Sequence, residues 1–286
     1  MSHILVTGAN KGIGYATVAA ILAEHPEYTV ILGARDLSLG SAARERLLET
    51  DPAWAERLVV QQLDVTSQDS VDAARAAILS RSGDSPALVG LVNNAGRAVG
   101  GMQDILDVNV YGIHRVTEAF APLMAPGGRV VNVASAAGPN FVAQCSSVQQ
   151  AFFTSETPDW PTLDALMRDC ARLSASELAA LGLGEAPPYG VSKACANLYT
   201  VYSAARWPEL VINACTPGFI ETDLATPFLG GRTPEEAGMK TPAEGARVIL
   251  FLLFGNPNGS GHYFGSDSLR SPLDRYRAPG SPAFAG

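Results

Sequence analysis

Lysine is nearly missing from this chain. Of its 20 basic residues, only Lys11, Lys193 and Lys240 are lysines. Arginine serves wherever a generic positive charge is needed, so the positions that keep lysine stand out. Cysteine is sparse too. Cys145, Cys170, Cys195 and Cys215 are widely spaced and form no CxxC pair, which indicates neither a metal site nor a disulfide framework. Apolar runs such as Val248 to Phe254 are far too short to cross a bilayer. Basic charge is in deficit. A net charge of −8 and a pI near 5.0 argue against nucleic acid or an anionic membrane as partner. No secretory pattern precedes the first strand, and no linker or repeat divides the chain before its last residues. The expectation is a reduced, cytoplasmic protein. Its 47% hydrophobic content is ample for a large core.

What is present is an alternation of short apolar runs and helix-length stretches. Strands are predicted at His3–Thr7, Thr29–Ala34, Leu58–Leu63, Leu88–Asn93, Arg129–Ser135, Leu210–Thr216 and Gly261–Phe264. Helices are predicted at Ile13–Glu24, Leu39–Thr50, Ser67–Arg81 and Val108–Met124. Continuous apolar runs suit strands buried on both faces, and the alternation predicts an α/β fold with a doubly wound parallel sheet. Ligands of such sheets bind at the carboxyl ends of the strands, so the residues after each strand are the site candidates.

The first strand runs into Thr7-Gly8-Ala9-Asn10-Lys11-Gly12-Ile13-Gly14. Gly8 and Gly12 permit a tight turn and close approach of a pyrophosphate, and Gly14 lets the new helix pack on the strand. The helix dipole and its free N–H groups then face the anion. After the second strand stand Arg35 and Asp36. An acidic residue at the strand end would suit a ribose hydroxyl; Arg35 suits a 2′-phosphate, Lys11 adds a second charge, and Asp36 is expected to offset Arg35 in part. After the third strand, Asp64 and Val65 are placed for an adenine ring, or Asp64 caps the next helix. After the fourth comes Asn93-Asn94-Ala95-Gly96, either a close backbone approach to a cofactor or a plain turn. After the fifth come Val133 and Ser135. Tyr189 and Lys193, at i and i+4, share one helical face. There the ammonium is expected to lower the phenol's pKa, and the phenol to give a proton to a developing alkoxide.

The ordered set of Thr7-Gly8-x3-Gly12-x-Gly14, Asn93-Asn94-Ala95-Gly96, Asn109, Ser135, Tyr189-x3-Lys193 and Pro217-Gly218 resembles the short-chain dehydrogenase/reductase family, from about Ile4 to Phe264. Within the family it looks closest to the NADPH-dependent monomeric carbonyl reductases. The Gly-Ala-Asn-Lys-Gly-Ile-Gly turn, Arg35-Asp36, and the long segment between Ser135 and Tyr189 carry that likeness. The resemblance implies a Rossmann-like domain over 1–265, with a helical insertion at about 140–187, including a helix near Leu163–Leu173. It implies a monomer, because such an insertion covers the helices that other members use to assemble. We assign a substrate lid to about 219–241 on composition, and a Pro/Gly/Ser-rich tail at 266–286 that runs over the surface or frays.

By the same resemblance Tyr189 is the proton donor, Lys193 tunes it and binds the nicotinamide ribose, and Ser135 holds the carbonyl. Asn109 holds a relay water. Gly8, Asn10, Lys11, Gly12, Ile13, Gly14, Arg35, Asp64, Val65, Asn93, Ala95, Gly96, Val133, Pro217, Gly218 and Thr222 face NADPH/NADP+. The partner is a small carbonyl compound. The stretch Arg97–Val108 is shorter than in related reductases, which either opens the pocket or misplaces Asn109. Phe141, Phe152, Phe219 and Phe228 are candidates for an apolar pocket or for plain packing. Alcohol oxidation, a pathway-specific ketoreductase and a non-catalytic NADP(H)-binding redox sensor stay open from the residues alone.

Overall fold

The first strand, β1 (Ser2–Val6), already shows how the sheet is built. Ile4 and Val6 point into one buried cluster and Leu5 into another, on the opposite face. A strand covered on both sides reads as a continuous apolar run, which is why its sequence shows no alternation. A computed structural model describes residues 2–82 and 87–286. Met1 and residues 83–86 of the expected 1–265 domain lie outside the described residues.

After β1 come α1 (Gly12–Glu24), β2 (Tyr28–Ala34), α2 (Leu37–Thr50), β3 (Leu58–Gln62), α3 (Gln68–Ser82) and β4 (Leu88–Asn93). The second half holds α4 (Met102–Leu106), α5 (Gly112–Phe120), β5 (Met124–Val133), α6 (Ala137–Val142), α7 (Ser147–Phe153), α8 (Trp160–Arg172) and α9 (Ala175–Ala180). It closes with α10 (Pro188–Arg206), β6 (Val211–Cys215), α11 (Pro242–Phe254), β7 (Tyr263–Phe264) and β8 (Arg270–Ser271). The strands form one eight-stranded sheet in the order β3-β2-β1-β4-β5-β6-β7-β8. Every pair is parallel except β7 with β8. The order reverses between β1 and β4, and that crevice is where such a sheet accepts a ligand.

Helices cover both faces. α1 buries Gly14, Thr17, Val18, Ile21 and Leu22, a helical stripe that packs with Val248 and Leu252 of α11. On the other face Val71 and Ile78 of α3 meet Val116 and Phe120 of α5. A third cluster joins α10 to the segment before it: Phe141, Phe153, Leu163, Met167 and Leu178 pack on Val191, Leu198 and Tyr199.

Three expectations change. The helix predicted over Val108–Met124 begins earlier, at Met102, and passes through a π turn at Asp107–Tyr111. The Gly112 N–H there bonds to the Asp107 carbonyl, one residue beyond the α-helical partner. It ends at Phe120, because Pro122 follows in a 3-10 turn. The fifth strand starts at Met124 instead of Arg129. Finally, the segment expected to run over the surface supplies β8, whose Ser271 is buried. Among the described residues no helix is long and apolar enough to cross a membrane.

Candidate active site

The rim above the β1/β4 crevice is held by a hydrogen-bonded latch. The Thr7 hydroxyl accepts from the backbone N–H of Asn94 and of Ala95, each at 3.0 Å. The Asn94 amide donates back to the carbonyls of Thr7 and Gly8, at 2.9 and 3.1 Å. The glycine turn is thereby fixed against the end of β4. Gly8 and Gly12 have φ of +62° and +58°, the left-handed region that a side chain disfavours. A Cβ on Gly8 would stand 2.9 Å from the Ala95 Cα. Lys11 precedes α1 in extended backbone, and neither a side-chain cap nor an acidic residue occupies the helix start. Its first N–H groups therefore remain open to an anion.

Positive charge gathers beside this turn. Arg35 is exposed at the end of β2. Arg46 of α2 donates to the Asn10 carbonyl at 3.1 Å and rides 5.3 Å over the Tyr15 ring. Lys11 pairs with Asp223 at 2.7 Å, both side chains exposed. Asp36 interacts with the Arg35 charge as expected, but this is the smallest of the effects on it. Its carboxylate turns to α2 as an N-cap, accepting from Ser38 N–H at 2.8 Å, Ser38 Oγ at 2.6 Å and Leu39 N–H at 3.2 Å. The Ser38 hydroxyl and these N–H groups hold its pKa below the ordinary aspartate value.

Ser135, Tyr189 and Lys193 come together at the ends of β5 and α10. Gly138 lets α6 lie against α10, since a Cβ there would stand 2.9 Å from the Ala194 nitrogen. Lys193 is buried, and its Nζ donates to the Val133 carbonyl at 2.8 Å. It stands 5.6 Å from the Tyr189 ring centroid. Burial lowers its pKa to about 8. The Tyr189 phenol moves the other way from the sequence expectation: burial raises its pKa, and the Ser135 hydroxyl opposes the rise only in part. Burial outweighs the other influences on the phenol, and the ammonium is not among them.

Asn109 is fully buried in the π turn. Its Oδ1 accepts from the Arg97 N–H at 2.8 Å. Its Nδ2 donates to the Arg97 carbonyl at 2.8 Å and to Ser192 Oγ at 2.9 Å. Ser192 Oγ in turn donates to the Tyr189 carbonyl at 2.8 Å. The short Arg97–Val108 stretch thus ties Asn109 to the backbone of Tyr189. Both amide hydrogens are used, so the side chain is not free to donate to a relay water.

The sequence model of the short chain dehydrogenases matches residues 2–147. Carbonyl reductase (NADPH) 1 of Mus musculus is 31% identical, over 90% of this chain and 92% of its own length. This chain belongs to the short chain dehydrogenase family. Carbonyl reductase (NADPH) 3 of Rattus norvegicus is 34% identical, over 87% of this chain and 90% of its own. Among solved structures, menthone neomenthol reductase from Mentha piperita superposes with a TM-score of 0.74 at 27% identity, covering 93% of this chain and 98% of that one.

Elsewhere in this short chain dehydrogenase the expected residues divide. Pro217 and Gly218 follow β6, and Gly218 adopts φ +99°. Thr222 lies against Gly12, where a Cβ would meet its methyl group at 3.2 Å. Ile13 packs on the sheet core. Gly96 is exposed at the rim. Asp64 Oδ1 accepts from the Thr66 N–H and hydroxyl, at 2.9 and 2.7 Å, and shapes the turn before α3. Val65 packs against Gly112. The Asn93 side chain faces away from the rim. Its amide donates to Thr117 Oγ1 at 3.1 Å and Asn132 Oδ1 at 2.8 Å, inside the fold. Only its backbone is left to line the crevice.

The expected lid closes at its base, where Glu221 N–H donates to the Lys240 carbonyl and Lys240 N–H to that of Phe219, each at 2.9 Å. Phe228, in a 3-10 turn at its tip, lies 6.0 Å from the Tyr189 ring. Phe141 and Phe152 instead pack on Phe153. Thr7 and Asn94 stand in the sequence motifs without a role of their own, and Ser192 is not singled out at all. Their role rests on non-local bonds, and only the adjacency of β1 and β4 could have signalled the first two. The cysteines are free and buried, and burial raises every thiol pKa: Cys145 and Cys170 to about 11, Cys215 to about 12, and Cys195 well above the ordinary value. Among the described residues no group of His, Cys, Asp or Glu could hold a metal ion.

Proposed function

We propose that this chain reduces a ketone or aldehyde to an alcohol with NADPH, and that Tyr189 gives the proton. The observation that carries this reading is the grouping of Ser135, Tyr189 and buried Lys193 at the carboxyl rim of the sheet. The names of the carbonyl reductase relatives support the same reaction.

The residues present fit the cofactor. The open start of α1 and the glycine turn would take the pyrophosphate. Lys11 and Arg35 would take the 2′-phosphate, with Arg46 adding charge behind Asn10. When bound, the cofactor supplies the hydride. The chain's own groups do the rest. The Ser135 hydroxyl donates to the substrate's carbonyl oxygen. The Tyr189 phenol, kept protonated by its raised pKa, donates its proton as that oxygen becomes an alkoxide. The Lys193 ammonium adds positive charge below them, and Asn109 positions Tyr189 through Ser192. The helices α7 to α9, packed over α10, support a monomer, which light scattering of the purified protein would verify.

Arg35→Ala weakens NADPH by about tenfold or more and leaves NADH nearly unchanged, since a hydrogen-bonded charge contact is lost only with the phosphate. Fluorescence titration with both cofactors checks this, and an equal loss for both would refute the phosphate role. Tight NADPH binding with no turnover of any carbonyl would assign a sensor instead.

A pH effect follows from Lys193. Its folded pKa of about 8 lies below the free lysine value of 10.5, so the unfolded chain holds the proton longer. This group's contribution to stability therefore rises with pH between those values, while the ammonium itself is lost. We expect kcat/KM for reduction to fall as pH rises through about 8. In Lys193→Met the residual rate should lack that limb. A limb that survives the substitution would assign it to another group.

A further inference from the structure

A cavity of about 280 Å³ opens beside Ser135, and part of its wall plays no role in the reduction. Ser135, Thr216 and Phe219 line it from the strand ends. One side of the wall comes from the segment after β8, with Arg275, Tyr276 and Arg277, and Pro139 and Asn140 of α6 and Tyr263 of β7 also contribute to it. Two guanidinium groups thus line the space and no carboxylate does, in a chain whose net charge is −8.

The two cations are not equivalent. The Arg277 side chain is 6% exposed and is held by Asp267, by Ser271 Oγ at 3.0 Å and by the Ser281 carbonyl at 2.6 Å. Its charge is matched, and it fastens the segment to the sheet edge. The Arg275 side chain is 60% exposed. Its ionic partner is its sequence neighbour Asp274, at 2.9 Å, which does not line the cavity. An exposed pair of this kind is weak and gives way to a better-placed anion. The Arg275 guanidinium lies 5.5 Å from the centre of the Phe284 ring, which supports it from one side. A supported, planar guanidinium is the group that receives a carboxylate with two parallel hydrogen bonds. The volume favours a compact acid over an extended ligand.

We propose that Arg275 selects substrates bearing a carboxylate, so that the compound reduced at Ser135 and Tyr189 is a small keto acid or aldehyde acid whose acid group rests on Arg275. This rests on the reductase reading above, and the test separates the two.

The full chain is assayed with NADPH on 4-carboxybenzaldehyde and on its methyl ester, which differ in charge at the acid end. We expect kcat/KM to favour the acid by about tenfold at low salt, and the preference to shrink as ionic strength rises. Arg275→Ala should bring the ratio to about one, and Arg275→Glu should invert it. Binding of benzoate against benzamide, by calorimetry with NADP+ present, reads the same site without turnover, and only benzoate should need Arg275. Reduction of both aldehydes with no acid preference, or a preference untouched by Arg275→Ala, overturns the proposal and leaves the reductase reading standing. Benzoate binding that depends on Arg275, with neither aldehyde reduced, upholds the carboxylate site and refutes the reductase reading. Neither binding nor turnover overturns both.

Discussion

Tyr189→Phe lowers carbonyl turnover about a thousandfold, within the range a positioned general acid contributes. NADPH affinity stays within about twofold, because the change removes one oxygen and keeps the ring. That ring still packs against Phe228, 6.0 Å away, and Gly138 still seats α6 on α10. Ser135 keeps its place at the end of β5, so substrate still binds and the loss falls on kcat. Steady-state kinetics with NADPH fluorescence titration separate the two. Undiminished turnover would assign the proton to another group.

Gly14→Ala damages cofactor binding more than any change to a charged rim residue. The new Cβ would stand 2.4 Å from Asn94 Nδ2, 2.8 Å from the Gly8 carbonyl oxygen and 2.9 Å from the Ala9 Cα. Two of these atoms are backbone, and the third donates to the Thr7 and Gly8 carbonyls. Nothing nearby can yield without opening the latch. Overpacking of this kind costs about 1–3 kcal/mol. At about 2–4 °C per kcal/mol the melting temperature falls by several degrees. We expect NADPH affinity to fall by about tenfold to a hundredfold, since the turn proposed to receive the pyrophosphate is displaced. Differential scanning fluorimetry with and without NADPH checks both effects. An unchanged melting temperature and affinity would mean that the turn adapts.

The central strands were legible because both of their faces are covered. Leu5 and its neighbours Ile4 and Val6 are all apolar, and no polar residue interrupts the pattern. The start of β5 was hidden by Pro126, Gly127 and Gly128, which break apolar periodicity while the chain still pairs with β4 at Met124. β8 was invisible for another reason. Two residues carry no period, and Arg270 and Ser271 become a strand only through pairing with Phe264 and Tyr263. The π turn leaves composition unchanged and alters only the backbone hydrogen-bond spacing, so the pattern around Asn109 reads as ordinary helix. In the candidate site, residue types and spacing were legible, but the partners were not. Lys11 meets Asp223 from 212 positions away. Asp36 was read by its charge and acts by its capping geometry, which a short side chain beside a helix start favours.

The buried thiols have a further use as clocks. Cys145 follows α6, Cys170 lies in α8, Cys195 in α10 and Cys215 in β6, and all four are buried with raised pKa values. An alkylating reagent needs a thiolate it can reach, so each sulfur reacts only when its own region opens. Timed labelling read by mass spectrometry would thus report four local opening rates in one unmodified chain. Cys170 should label before Cys215: α8 lies outside α10, whereas β6 pairs with β5 and β7 in the sheet. The scarcity of cysteine makes every label assignable.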